Sequence, residues 1–323
     1  MKQLKTLLAA AMAVSLSGLA GGGASAEPIE IRAVTAWAEN DPVSSGFFIW
    51  KERIEAELGD RVKITYLGAY DVVPANQQVE AVRNRVVDMT YTTPAYYATQ
   101  VPYAIAMTFT DQPIDVLRSN GAIDFMQAHH ETVGGVHILG TYWLYGSAIF
   151  LTEKRVESSK DFAGLKLRTG SFIPFLNALG ASPVAIPLAE TYPSLERGVI
   201  DGMTFPETLT DASLRSLLKY KVEPLFYNVN QSFLINTDVW NGLPKDLQDD
   251  IERISLEVED DIVAAARKMV EEINEVAREE GMETLTVSDP EHYLDLAYSS
   301  VWEFSRARFG EDSARIEEMM RKK

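Results

Sequence analysis

From residue 245 to residue 280 the chain carries apolar residues at helical spacing, and neither proline nor glycine interrupts them before Gly281. Leu247, Ile251, Ile254, Val258, Ile262, Ala266, Met269, Ile273 and Val276 mark the stripe. Leu243-Pro244 precedes it and acids occupy its first turn, as at a helix start. A helix of that length would reach ~54 Å at 1.5 Å per residue. That is wider than one small lobe, so the run predicts a rod lying across two.

The N-terminus sets how much chain there is to fold. Met1-Lys2-Gln3-Leu4-Lys5 is basic, an apolar stretch follows from Leu7 to about Leu19, and Ala24-Ser25-Ala26 ends it with small residues. This is the pattern of a secretory signal peptide (residues 1–26), with cleavage expected after Ala26 and the product expected in the periplasm. The apolar run is too short to span a bilayer. The remaining 297 residues exceed what one core usually serves. There is no cysteine, hence no disulfide, thiol nucleophile or thiolate metal site. Formal charge is −17, or −19 without Lys2 and Lys5, a surface that repels nucleic acid.

Strand and helix patterns alternate. Strands are expected at 29–34, 62–67, 86–91, 136–143, 148–152, 165–168, 183–186, 199–205 and 233–236. Helices are expected at 43–58, 74–85, 122–130, 172–179, 189–197 and from 293 to about 320, with Gly180 and Gly198 as stops. The fold class is therefore α/β, with open, mostly parallel sheets flanked by helices. The βαβ series restarts after residue 148. One lobe is expected from 27–147 plus about 235–275, the other from 148–234 plus about 276–323.

Enzyme motifs are missing. No dinucleotide or phosphate-loop glycine pattern occurs, and no G-x-S-x-G elbow. Among four histidines, His129, His130 and His137 lack metal-ligand spacing, so neither metal nor cofactor is expected. The acid pairs Asp249-Asp250 and Asp260-Asp261 read as the solvated face of the long helix.

One strand stands apart. In "FAGLKLRTG", residues 162–170, Leu165 and Leu167 share one face and Lys166 and Arg168 the other, and Arg168 ends the strand before a Thr-Gly turn. Ligands of open α/β sheets bind outside strand carboxyl ends. A guanidinium is a planar fork matched to a carboxylate. The pattern leaves two readings, a solvated charge on an exposed face and an anion clamp at a strand's carboxyl end.

Here the sequence resembles a known family. "GLKLRTG" followed by "LGASPVAIPLAETYPSLERGVIDGMTFPE" resembles the signature region of the periplasmic solute-binding proteins of TRAP transporters, the DctP type. "QQVEAVRNRVVDMTY" upstream, and Leu243-Pro244 with the long helix downstream, extend the resemblance over nearly the whole chain after the leader. It implies two α/β lobes braced by one long helix and a ligand carboxylate bridged by an arginine at the place of Arg168. It also implies delivery of the ligand to TRAP permease subunits in the membrane.

Departures from the family pattern bear on the ligand. Where relatives for dicarboxylates and sialic acid carry a second arginine, this chain has Ala148. Where an asparagine is frequent, it has Phe205. A second carboxylate there would be buried unpaired, at a cost of several kcal/mol. A small organic monocarboxylate with a less polar body, aromatic or keto acid included, is the expected ligand. Keto-acid relatives hold a metal through an acid where Thr204 stands here, so no metal is expected. Candidate walls are Trp37, Tyr91, Thr92, Thr93, Tyr145, Phe150, Ser171 and Phe205 around Arg168. Two competing functions remain at this level: an exported acid-base lyase or hydrolase whose acids meet only in three dimensions, and a binding module that presents its ligand to a membrane sensor.

Overall fold

The computed structural model describes residues 27–322; the leader and its cleavage site lie outside the described residues. Nine strands are present among them: β1 (Ile29–Thr35), β2 (Val62–Gly68), β3 (Met89–Thr92), β4 (Val136–Leu151), β5 (Lys166–Arg168), β6 (Ser182–Val184), β7 (Gly202–Pro206), β8 (Tyr220–Asn236) and β9 (Glu283–Thr286). They form one sheet in the order β2-β1-β3-β8-β4-β7-β5-β6, with β9 beside β8. The lobes therefore share a sheet, where separate sheets were expected. β1 to β3 run parallel at one end and β5 to β7 at the other. β4 and β8 pair antiparallel along almost their full lengths and belong to both ends.

Two features of those long strands differ from the sequence reading. The pattern put a break between residues 143 and 148, where the structure has one 16-residue strand. Register shifts at Trp143/Tyr145 and Gly146/Ser147 absorb the irregularity as bulges. Leu225 presses on Gly146 so closely that a Cβ there would lie 2.7 Å away, which accounts for the glycine. In β8 only the last four residues were expected. No strand was expected over the preceding Asn228, Asn230 and Gln231, yet Asn230 and Gln231 are fully buried. The ends 147/148 and 234/235 of the expected lobes fall inside β4 and β8.

The rod is two helices. The first brace helix is Lys245–Glu257 and the second Glu259–Glu279. At the junction the Ser255 carbonyl accepts a 2.7 Å hydrogen bond from the Tyr142 hydroxyl, and the Ser255 hydroxyl accepts one from the Trp50 indole. A side chain competing for a helix carbonyl is a common cause of a break. The second brace helix still serves both lobes. Ile262 packs with Phe47, Trp50 and Phe233 of the first lobe. Met269 packs with Tyr145 at mid-sheet. Ala277 packs with Phe150 and Met203 of the second lobe. The helix expected from 293 to about 320 is also two, Pro290–Phe309 and Ser313–Met320, and the first stops at Gly310, whose φ of +57° favours glycine.

Candidate functional site

β5 is three residues long, between β6 and β7. Gly164, at φ +78°, turns the chain into it. Asp201 accepts from the Lys166 amide at 2.8 Å and returns its own amide to the Lys166 carbonyl. After Arg168, the buried Thr169 fixes the turn. Its amide donates to the Val184 carbonyl, and its hydroxyl accepts from the Phe172 amide and from Thr204. The backbone at Arg168 is thus held on both sides.

The guanidinium is held much less. Arg168 is half-buried, and Nε donates to the Ile186 carbonyl at 3.2 Å. Among the described residues no carboxylate pairs with it. Burial lowers its pKa from the ordinary arginine value with no partner to offset the shift. A desolvated cation without a counter-charge, at a strand's carboxyl end, is suited to an external anion.

Arg168, Ala148 and Phe205 lie on neighbouring strands. Met203 on β7 is in register with Arg168 on β5, and Phe205, two residues on, is opposite Ala148 on β4. Val184, Met203 and Phe205 pack on one face of the sheet, while Leu167 belongs to the other. Strand alternation puts Arg168 on the face of Phe205. Phe150 is on that face too, but 2% exposed and deep in the packing. Ser171, after the turn, is exposed.

The first lobe contributes the ends of β1 and β3. Thr35 and Ser44 both donate to the Trp37 carbonyl and pin the turn after β1. Trp37 meets Tyr91 edge-on at 5.9 Å and Tyr96 at 6.0 Å. Tyr91 is fully buried against Phe233, with its hydroxyl on Gln231. Thr92 is buried and its hydroxyl has no partner; Thr93 is buried beside it. Tyr145 lies between the ends of the sheet. It packs on Ala266 and Met269 and accepts from Gln231 Nε2 at 3.3 Å. Burial raises its phenol pKa, with Thr208 and Gln231 lowering it and Asp41 and Tyr96 raising it further. Asp41 and Tyr96 come from the first lobe, Thr208 from the segment after β7, and Gln231 from β8.

Sequence reasoning missed the polar groups beneath these walls. Gln231 links Tyr91 to Tyr145. Glu207, two residues past Phe205, exchanges hydrogen bonds with both backbone groups of Gly146. Its carboxylate meets Lys221 at 3.1 Å, and Lys221 also donates to Asn274 of the second brace helix. Lys221 and Glu207 are 6% and 9% exposed at the side chain, so this ion pair is buried where the two long strands meet the brace. The signal for these residues was polar letters, "NVNQS" and "PE", interrupting apolar strands. Cavities also flank the second brace helix, lined by Leu144, Glu207, Arg267 and Asn274 on one side and by Pro42, Thr210 and Met269 on another. Arg168 lines neither; unmatched charge distinguishes its position, not enclosure.

Residues 33–294 match the family described as bacterial extracellular solute-binding protein, family 7, DctP. The chain belongs to this family. Proteins of family 7 are substrate-binding receptors of transporters, not enzymes. A monocarboxylate 2-oxoacid-binding periplasmic protein of Nostoc sp. is 26% identical over 237 residues, 68% of this chain and 63% of that protein. The chain thus matches somewhat under two-thirds of that relative's length. In fold it is similar to a TRAP periplasmic solute-binding protein from Rhodobacter sphaeroides in an apo open state, with TM-score 0.81 at 18% identity over 90% of this chain and 98% of that one. A TRAP solute-binding protein from Desulfovibrio salexigens with bound orotic acid gives 0.75 at 19% identity over 90% and 97%.

Proposed function

We propose that this protein is an extracytoplasmic receptor that binds a small organic monocarboxylate between its lobes through an Arg168–carboxylate bridge and delivers it to a TRAP permease. The observation that carries this reading is the half-buried guanidinium of Arg168, which has no carboxylate of its own. Ala148 and Phe205 beside it bring no second cation, which favours one carboxylate over two. Phe205 and Trp37 serve as the apolar walls. Tyr145, Thr92, Thr93 and Ser171 offer hydroxyls to the ligand's polar atoms. Tyr91 and Phe150 support these walls from the core. The Nostoc relative's name supports a monocarboxylate; the orotate-bound neighbour supports an acid on a planar body. Export through a leader cleaved after Ala26 would place the receptor in the periplasm, where family 7 proteins work.

The test is a thermal-shift and calorimetric screen on protein stripped of ligand by unfolding and refolding. Aliphatic, hydroxy, keto and aromatic monocarboxylates are compared with dicarboxylates and neutral amides. A ligand that binds only the native state raises Tm by mass action. The expected result is a shift with a monocarboxylate that is lost in Arg168→Ala. Shifts from dicarboxylates alone would overturn the reading of Ala148 and Phe205, and an unchanged shift in a folded Arg168→Ala would move the site elsewhere.

A further inference from the structure

Arg168 is the last residue of β5, so its position depends on the turn that follows as much as on the strand. Thr204, on the neighbouring β7, reaches that turn. Its hydroxyl lies 2.9 Å from Thr169 Oγ1 and 3.4 Å from the Arg168 carbonyl, and the nearer acceptor takes most of the bond. Thr169 Oγ1 also accepts from the Phe172 amide, and the Thr169 amide donates to the Val184 carbonyl of β6. Thr204 and Thr169 are 2% and 0% exposed, so water does not replace a bond lost there. One buried hydroxyl thus ties β7 to the residue after Arg168.

Thr204 itself is kept from the ligand's side. It pairs with Ile149 of β4, next to the Phe205–Ala148 pair. Strand alternation turns it to the face of the sheet opposite Phe205 and Arg168. Any effect of its hydroxyl on a ligand has to pass through the backbone of Arg168. Near the tip of that side chain, Nε is engaged by the Ile186 carbonyl at 3.2 Å, which leaves the two Nη groups for an incoming anion. The arginine is fixed at its root and close to its tip before a ligand arrives. A donor preset in this way loses little conformational freedom on binding.

We propose that Thr204 is a positioning residue: its buried hydroxyl, acting through Thr169, presets Arg168 to receive a carboxylate. The assignment rests on the receptor reading above and adds a residue on the far face of the sheet to it. Because Thr204 does not touch the ligand, its effect is the same for every acid bound through Arg168 and carries no preference among them.

The experiment measures Kd by calorimetry on stripped protein, at a temperature where each variant is folded. The probes are propionate, lactate, pyruvate and benzoate, with every other monocarboxylate that shifts Tm in the screen above. Thr204→Val is expected to weaken each acid that wild type binds by about 5- to 10-fold, the range of one neutral hydrogen bond, with their order unchanged. Thr204→Ser keeps the hydroxyl and is expected to stay within about 2-fold of wild type. A second readout is the Arg168 Nε–H resonance of the ligand-free protein, assigned by its absence in Arg168→Ala. Its exchange with water is expected to be faster in Thr204→Val than in wild type or Thr204→Ser. A merely structural Thr204 would lower Tm and leave both Kd and that exchange rate unchanged. Should Thr204→Val fail to fold, Thr204→Cys reads the same group, because it puts a weak donor in place of the hydroxyl. A Kd in Thr204→Val equal to wild type, or a loss in Thr204→Ser as large as in Thr204→Val, overturns the assignment alone. Arg168→Ala is run beside them: binding of every acid unchanged in that variant overturns the receptor reading instead, and no acid bound by wild type overturns both.

Discussion

Each lobe has an arginine on an inner strand, and the two are treated oppositely. Arg32, on β1, forms a fork with Asp88: Nε and Nη2 reach the two carboxylate oxygens at 2.9 and 3.0 Å, and the Arg32 amide adds a third bond at 2.8 Å. Hydrogen bonding to Asp88 raises the Arg32 pKa. Burial would raise Asp88, but the hydrogen bonds and charge of Arg32 outweigh it and hold the carboxyl below its usual range. Arg168, on β5, has a carbonyl and no carboxylate, and its pKa moves down. One arginine is satisfied by the fold; the other is left for something outside it. Lys221 shows that the second lobe does satisfy a buried cation, with Glu207 and Asn274. The difference supports the ligand-binding role proposed for Arg168, whereas Arg32 and Lys221 have their partners within the fold.

The comparison breaks most visibly at Lys221. Lys221→Met leaves the Glu207 carboxylate buried and uncompensated, and stability is expected to fall by about 3–5 kcal/mol in denaturant titration, with much of it recovered in Lys221→Met/Glu207→Gln. A change under ~1 kcal/mol would mean that this pair, too, is idle in the free protein. Arg168→Ala should do the reverse. Carboxylate affinity drops by about 2–5 kcal/mol, while the Tm of the ligand-free protein stays level or rises, since a desolvated, unpaired cation is removed. A marked loss of apo stability would place Arg168 with the structural cations.

Asp88→Asn probes the satisfied arginine and is expected to cost about 1 kcal/mol, because Arg32 is 40% exposed and solvent screens the pair. A folded-state pKa below the ordinary 3.8 contributes stability that is present above that value and lost as pH falls through the lowered one. Wild type should therefore lose this increment below about pH 4, and Asp88→Asn should show a flatter acid limb with unaltered ligand selectivity. The smallest effect sharpens the ligand side. Ala148→Arg puts a second cation opposite Phe205 and should raise dicarboxylate affinity relative to monocarboxylate by a few-fold. No gain would mean that the apolar pair is not what excludes the second carboxylate.

Arg168 was legible from its place at the end of a strand, and Ala148 and Phe205 from the resemblance to the family; in the structure the three lie on neighbouring strands β5, β4 and β7. The alternation of strand and helix was legible from the spacing of apolar residues. Single β4 and long β8 were not. Bulges at Tyr145 and Gly146 broke the period-two pattern, and buried Asn230 and Gln231 have the letters of a loop. Their burial depends on partners 86 to 140 residues away, Tyr145, Thr141 and Tyr91 among them. The division of the rod was invisible for a related reason: Tyr142, which takes the Ser255 carbonyl, lies 113 residues away in the chain.

The position of β8 has a consequence for assembly in time. It fills the gap between β3 and β4, yet it comes after all of β5 to β7 in the chain. A polypeptide emerging N-terminus first therefore holds β3 with an open edge until residue 236 has appeared, and the brace that covers the first lobe follows later still. Non-local pairing of this kind delays closure. The second lobe waits longer still, because Leu167 and Phe175 share their core with Tyr293, Trp302 and Ile316, so the chain has no early compact half.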